Sequence, residues 1–278
     1  MIKKVIAPVR IDFAGGTTDI EPFASKYGGA VLNAAINKHV KGELYSSEKK
    51  VGLSYHAGIP TSSGLGTSGV MNLVWLALIS GLKDKTRLAE QVYGLERAME
   101  QTGGKQDQYT SAYGGINFLE FSSSGVKLTK INLNPAFIKE LEKRLVLVYT
   151  GKPHLATKTN KRMIDNLKSG KNTSNLIKIR DIAWEMKHAL HKKNLSRFAE
   201  LMNLETRERR KLDKSIIPHN IDKMIQIGMK NGAVAAKVCG AGGGGSILFF
   251  CNDRKKLIKK FGNKIIEFKF DFQGLRWL

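Results

Sequence analysis

Through the first sixty residues, apolar and polar positions alternate singly between short clusters of glycine and serine. The runs KKVIAPVRIDFAGG (3–16), GGAVLNAAI (28–36), HVKGELYSS (39–47) and KVGLSYHAG (50–58) share this period of two, which predicts strands of a sheet. The pattern then changes. VMNLVWLALISGL (70–82) is apolar nearly all round and predicts a buried helix. TRLAEQVYGLERAMEQ (86–101) predicts a second helix that ends at Gly103-Gly104. Strands are expected at GINFLEF (115–121) and VKLTKINL (126–133), and a short amphipathic helix over 135–143, opening on Pro135.

LVLVYTG (145–151) opens what reads as a second unit. A polar stretch follows, then helices over 179–193, 195–212 and 218–232. The last part is rich in strands: AVAAKVC (233–239), SILFFC (246–251) and IIEFKFDF (265–272), with a helix over 255–262. The expected domains are therefore 1–144 and 145–278. With no repeat period and no low-complexity linker, the halves should pack tightly, as α+β units of two layers each.

Composition changes this picture little. A chain of 278 residues with 42% hydrophobic side chains suits one large soluble domain or two ordinary ones. Its longest apolar runs, VWLALI and ILFF, are too short for a bilayer. MIKKVIAPVRIDF has no long apolar signal core, so a cytoplasmic protein without a membrane partner is expected. Cys239 and Cys251 both sit in apolar contexts and read as buried thiols. The charge is the odd feature: 46 basic against 24 acidic residues gives +22, which raises nucleic-acid binding. The charges are lysine-biased and spread along the chain, without aromatic interleaving or zinc-finger spacing. They read as a solvated surface, with no nucleic-acid partner.

The candidate chemistry starts in PTSSGLGTSG (60–69), which contains a literal G-x-G-x-x-G. A dinucleotide fingerprint needs a strand leading straight into the glycines and an acidic residue ending a second strand about 20 residues on. Here Pro60 and two serines interrupt the lead-in, and Asp84 lies between two predicted helices. What remains is a glycine-serine loop at a helix N-terminus: either a cradle for phosphate or a tight turn without a ligand. Thr67 and Ser68 add hydroxyls that suit Mg²⁺ bound to the same phosphates. Three other stretches bear on the choice. APVRIDFAGGTTDIEPF (7–23) places Arg10, two glycines and Asp19 where a strand meets a turn. LERAMEQTGGKQDQYTSAYGG (95–115) has a helical carboxylate, then an aspartate in a glycine-flanked turn. KVCGAGGGGSILFF (237–250) sets a glycine run between two apolar strands, where backbone can approach a ligand or another loop.

Together these stretches resemble the GHMP kinases, the family of galactokinase, homoserine kinase and mevalonate kinase. APVRIDFAGGTTD, PTSSGLGTSG and KVCGAGGGG occur in the family order, and the resemblance covers nearly the whole chain. RIDFAGGTTD, YGGAVLNAAI, GGKQDQY and the terminal FKFDFQGLRW read like the D-glycero-D-manno-heptose 7-phosphate kinase branch. The resemblance implies a GHMP kinase fold, with an N-terminal ribosomal-protein-S5-like domain and a C-terminal ferredoxin-like α/β domain. It implies that Pro60, Ser62, Ser63, Gly64, Leu65, Gly66, Thr67 and Ser68 wrap the ATP phosphates, with Ser68 and Glu96 as Mg²⁺ ligands. Asp107, eleven residues after Glu96, becomes the base for the acceptor hydroxyl, and Arg10 the cation beside it. Gly15, Gly16, Asp19, Lys105, Gly240, Ala241, Gly242 and Gly243 are expected around the acceptor. One departure is Thr67-Ser68-Gly69, where the family often has Ser-Ser-Ala.

The expected activity is transfer of the ATP γ-phosphoryl group to a sugar hydroxyl, with the anomeric hydroxyl of D-glycero-D-manno-heptose 7-phosphate as the acceptor. Fucose, galactose or another polyol is the alternative, and a homodimer is left open. Rivals from other classes are a basic RNA-binding protein and a nicotinamide oxidoreductase. His154 follows a strand that points at the acceptor site in this family, although it also reads as an ordinary loop histidine. His188 and His191, three apart on a helix, lack a nearby third metal ligand and read as solvated, while Trp184 and Met186 read as packing residues.

Overall fold

The computed structural model describes residues 2–48, 50–60, 62–152 and 156–278, with 156–160 as backbone only. Its first sheet grows from two long strands, β1 (Ile2–Ala14) and β2 (Gly29–Ser46), joined through the short helix α1 (Phe23–Tyr27). The two runs predicted separately at 28–36 and 39–47 form this one strand, β2. It pairs β1 on one side; on the other it pairs β4 (Ile116–Ser122) through Gly29 to Ala34 and β3 (Val51–Ala57) through Val40 to Ser46. The order is β10-β1-β2-β4-β5, where β5 is Gly125–Lys130 and β10 is Arg276–Trp277. Every pairing is antiparallel. The register of β1 shifts at Pro8/Val9, where proline has no N–H to give, and again between Asp12 and Ala14. The second shift turns the chain out of the sheet at the first glycine motif.

Residues 7–14 are buried without alternation, so β1 is covered on both faces. Helices α2 (Thr67–Ser80), α4 (Gln106–Tyr113), α7 (Thr173–His191) and α8 (Leu195–Leu212) pack on it. The apolar helix expected at 70–82 is α2; Val70, Leu73, Val74, Leu76, Ala77 and Leu78 are buried, while Ser68, Trp75, Ile79 and Ser80 reach solvent. Helix α3 (Lys85–Ala98) starts on Asp84, whose side chain accepts from Arg87 N–H, and stops five residues before the predicted glycines. Glu100 takes the left-handed conformation there instead. Three helices fall where none was expected: the short α1, α4 over the supposed turn holding Asp107, and α6 (Ala156–Lys168) in the polar stretch.

The second sheet runs β7-β8-β6-β9, with β6 (Leu145–Tyr149), β7 (Ala233–Val238), β8 (Ser246–Cys251) and β9 (Ile265–Ile266). Along β6, Leu145 and Leu147 join the large core shared with the first sheet. Val146 and Val148 face a second core built with α9 (His219–Lys230) and α10 (Arg254–Phe261). This explains the uninterrupted LVLV, and the shared core packs the two sheets together. Helix α5 (Pro135–Arg144), capped by Asn134, leads into β6. The strand expected over 265–272 is mostly not one. Only Ile265–Ile266 pairs β6, and Phe270 then bridges to Ile36 on β2. From there the chain returns to the first sheet as β10, with Val5 opposite Trp277. Trp184 packs edge-on against Phe118 at 4.5 Å and Met186 is fully buried, both as packing residues. Cys239 and Cys251 are free and buried. Among the described residues no helix is long and apolar enough to cross a membrane.

Candidate active site

A cavity of about 360 Å³ opens where the first glycine motif, the loop before α2, the start of α4 and the third glycine run meet. Asp107 stands in the first turn of α4, and its Oδ1 accepts a 2.6 Å hydrogen bond from Arg10 Nε on β1. The other end of the guanidinium donates from NH1 to the Gly64 carbonyl at 2.8 Å, and Arg10 N–H donates to the Leu65 carbonyl. One arginine thus ties strand, the loop before α2 and carboxylate together. Burial works against its charge, but the carboxylates of Asp107 and Asp12 outweigh this and raise its pKa.

The loop comes this close because two of its residues lack a Cβ. At Gly66, which caps α2 in the left-handed conformation, a Cβ would lie 2.9 Å from Asp107 Cγ; at Gly69 it would lie 3.1 Å from Asp107 Cβ. The Gly69 departure therefore has a local cause: alanine would press on the helix that carries Asp107. No side chain caps α2, so its first-turn amides and the positive end of its dipole are left for an anion. Ser62, Ser63, Gly64, Thr67 and Ser68 line the cavity beside them.

Asp19 lines the same cavity. Its Oδ2 accepts from Gln106 N–H at 3.1 Å and its Oδ1 from Gln106 Nε2 at 3.3 Å, so it caps α4 from 87 residues away. Burial pushes its pKa up to about 6, against the Gln106 hydrogen bond and reinforced by the charge of Asp107. Glu96, on α3, lines the cavity deeper in. Its two oxygens accept from Asn72 Nδ2 at 2.8 Å and Gln108 Nε2 at 2.5 Å. Burial pushes this carboxyl up to about 7 despite those donors, and the neighbouring Asp107 adds to the shift.

Gly16, Gly240 and Ala241 complete the wall. Gly240 is left-handed, and a Cβ there would sit 2.8 Å from the Gly64 carbonyl, so the second and third loops touch backbone to backbone.

Several expected residues are placed elsewhere. The ammonium of Lys105 pairs with Glu90 at 2.7 Å and lies over the Tyr93 ring, away from the cavity. It caps a helix whose next residues point other ways, so adjacency to Asp107 in sequence gives no adjacency in space. Leu65 is a core residue, and Gly243 N–H donates to Ile216. Pro60, Gly15 and Gly242 support the loops without lining the cavity. His154 lies outside the described residues. His188 and His191 are exposed on α7, and the described residues hold no group of three or more His, Cys, Asp or Glu able to bind a metal. Sequence reasoning missed Gln106, Gln108 and Asn72; the one signal was Asn72 standing a helical turn after Ser68, on the same face of α2.

The N-terminal domain model of the GHMP kinases matches residues 30–115, and their C-terminal model matches 186–265. Together these cover more than half of the chain. The chain belongs to the GHMP kinases. As a member it is an ATP-dependent phosphotransferase, and its fold is the α+β fold of that family. It is 27% identical to a D-glycero-alpha-D-manno-heptose 7-phosphate kinase of Campylobacter jejuni, over 97% of this chain and 96% of that one. A bifunctional fucokinase/GDP-fucose pyrophosphorylase of Arabidopsis thaliana is 25% identical over 99% of this chain, which spans 32% of that larger protein. Among solved structures, a D-glycero-D-manno-heptose 1-phosphate kinase from Bacteroides thetaiotaomicron superposes with a TM-score of 0.79 at 21% identity, covering 100% of this chain and 99% of the other.

Proposed function

We propose that this sugar kinase transfers the ATP γ-phosphoryl group to the anomeric hydroxyl of D-glycero-D-manno-heptose 7-phosphate in the cytoplasm. The observation that carries the reading is the Arg10–Asp107 pair packed beside the open N-terminus of α2 in one cavity. The full-length similarity to the Campylobacter jejuni heptose kinase supports the choice of acceptor. Residues 1–144 supply the nucleotide loop and the carboxylate, and residues 145–278 the third glycine loop.

In this reading the triphosphate lies on the amides of residues 62–68. The acceptor oxygen forms its bond to the γ-phosphorus as the bond to the bridging oxygen of ADP breaks, and the acceptor's proton passes to Asp107. Arg10 holds that carboxylate in place, and transfer through a loose transition state relies on such positioning and fixed charge. Asp19, with both oxygens open to further hydrogen bonds, accepts from hydroxyls of the sugar. A hydroxyl and a carboxylate on one wall suit Mg²⁺, which takes one or two protein oxygens and completes its shell with phosphate and water. Ser68 and Glu96 would hold it, and when bound it would neutralise charge on the β- and γ-phosphate oxygens.

The test is a phosphorylation screen over sugars and sugar phosphates with ATP and Mg²⁺. Heptose 7-phosphate should be turned over at the highest kcat/KM. A higher value for fucose or another neutral sugar would refute the acceptor, and no turnover on any sugar would refute the kinase reading.

A further inference from the structure

Beneath the cavity lies a group of charged side chains that the reaction above does not use. Asp12 (β1), Glu205 and Arg209 (α8) and Lys237 (β7) are each at most 1% exposed. Lys237 Nζ lies 2.8 Å from Asp12 Oδ2 and 3.1 Å from Glu205 Oε1, and Arg209 NH1 lies 3.7 Å from Glu205. Burial opposes the charge of Asp12, but Lys237, Arg10 and Arg209 hold its carboxyl well below the ordinary range.

As a source of stability the cluster is poor. Buried ions lose hydration that an apolar core would not have to forgo. Arg209 Nε and Glu205 Oε2 also find no hydrogen-bond partner among the described residues. What the cluster does make is a set of contacts to loop backbone. Arg209 NH2 donates to the Gly240 carbonyl at 2.6 Å, and NH1 reaches the Gly16 carbonyl at 3.5 Å. Asp12 Oδ1 accepts from Gly240 N–H at 3.3 Å, so both polar groups of that peptide position are held from below. A Cβ on Gly16 would lie 2.6 Å from Asp12 Oδ2 and 3.1 Å from Arg209 NH1, which shows how closely the cluster presses on the cavity wall.

We propose that Arg209 is a positioning residue: its guanidinium braces the first and third glycine loops and fixes the gap between them. Asp12 and Lys237 hold the brace in register. The second loop touches Gly240 but has a tie of its own, Arg10 at Gly64, so the brace acts on the acceptor side of the cavity more than on the nucleotide. An ammonium at the end of a lysine side chain keeps the charge but lacks the planar fork that spans two carbonyls.

The kinetic consequence rests on the kinase reading; the structural claim does not, and the experiment separates them. Arg209→Lys is compared with the parent by thermal melting, by steady-state kinetics and by hydrogen–deuterium exchange of peptides covering residues 12–20 and 239–246. A site geometry loosened by about 1 Å costs up to 10²-fold. The expected result is therefore a kcat at least about 10-fold lower and a raised acceptor KM, with the ATP KM within about threefold, a nearly unchanged Tm, and faster exchange in both loops. Arg209→Met should show the same split more strongly; if it does not fold, Arg209→Lys decides. Parent-like kinetics or unchanged exchange in Arg209→Lys overturns the brace. If the parent phosphorylates no sugar, the kinase reading falls and exchange alone judges Arg209.

Discussion

Replacing Asp107 by asparagine removes one charge and keeps the shape of the side chain. In the parent, Arg10 is 4% exposed and donates to Asp107 Oδ1 at 2.6 Å. The asparagine carbonyl can still accept that hydrogen bond, so the loss is the charge assistance, about 1–2 kcal/mol. At about 2–4 °C per kcal/mol for a chain of this size, Tm should fall by roughly 2–8 °C. The catalytic loss is larger. A positioned base contributes about 10²–10⁴-fold, or roughly 3–5 kcal/mol of barrier. ADP release followed at saturating ATP·Mg²⁺ should show kcat down by that factor, while the ATP KM stays within about threefold because the proposed nucleotide loop is untouched. A double-mutant cycle with Arg10→Met locates the arginine's share: if it acts through Asp107, the double variant should fall little below the worse single one. A folded Asp107→Asn enzyme with kcat within about twofold of the parent would refute the assignment of Asp107 as base.

Asp19 gives a pH signature. Its raised pKa means that the folded chain holds the proton more tightly than the unfolded one, so its stabilising contribution is complete below about pH 4 and lost as pH rises through about 6. Asp19→Asn should therefore gain about 1–3 kcal/mol on the parent between pH 4 and 7 in denaturant titrations; a pH-independent difference would contradict the burial argument. Gly104→Ala would place a Cβ 1.9 Å from Asp19 Oδ2, swinging that carboxylate off Gln106. The acceptor KM should rise at least about tenfold with the ATP KM unchanged, as measured by varying each substrate in turn. Lys105→Met should cost no more than about 1 kcal/mol, as for a partly exposed ion pair, and leave both KM values within about twofold. A tenfold rise in acceptor KM would return Lys105 to the substrate site.

What could be read from the sequence divides along the line between local and distant causes. The strands β1 and β3 carry their own periodicity, the helix α2 its own apolar run, and the glycine motifs their own turn chemistry. Helix α4 does not: QDQYTSAY has no apolar stripe, and its N-terminus is capped by Asp19, 87 residues away. IIEFKFDF alternates well enough for a strand, yet it leaves the sheet after two residues because Phe270 packs on Phe13 at a centroid distance of 6.3 Å. Family order brought Arg10 and Asp107 together from 97 residues apart, but it could not show that Gly66 and Gly69 make room for the carboxylate. The buried ions were the least legible, since Asp12, Glu205 and Lys237 look like surface charges in a chain with so many of them.

The return of the chain to its first sheet sets an order on synthesis. Strand β1 is made well before its outer neighbour, Arg276–Trp277, and Leu275 N–H donates to Ala112 in the last turn of the helix that carries Asp107. On the ribosome, the first sheet therefore waits with an open strand edge, a template for wrong pairing, until residues 271–278 emerge. A chain cut before residue 271 keeps every proposed catalytic residue and an unfinished sheet.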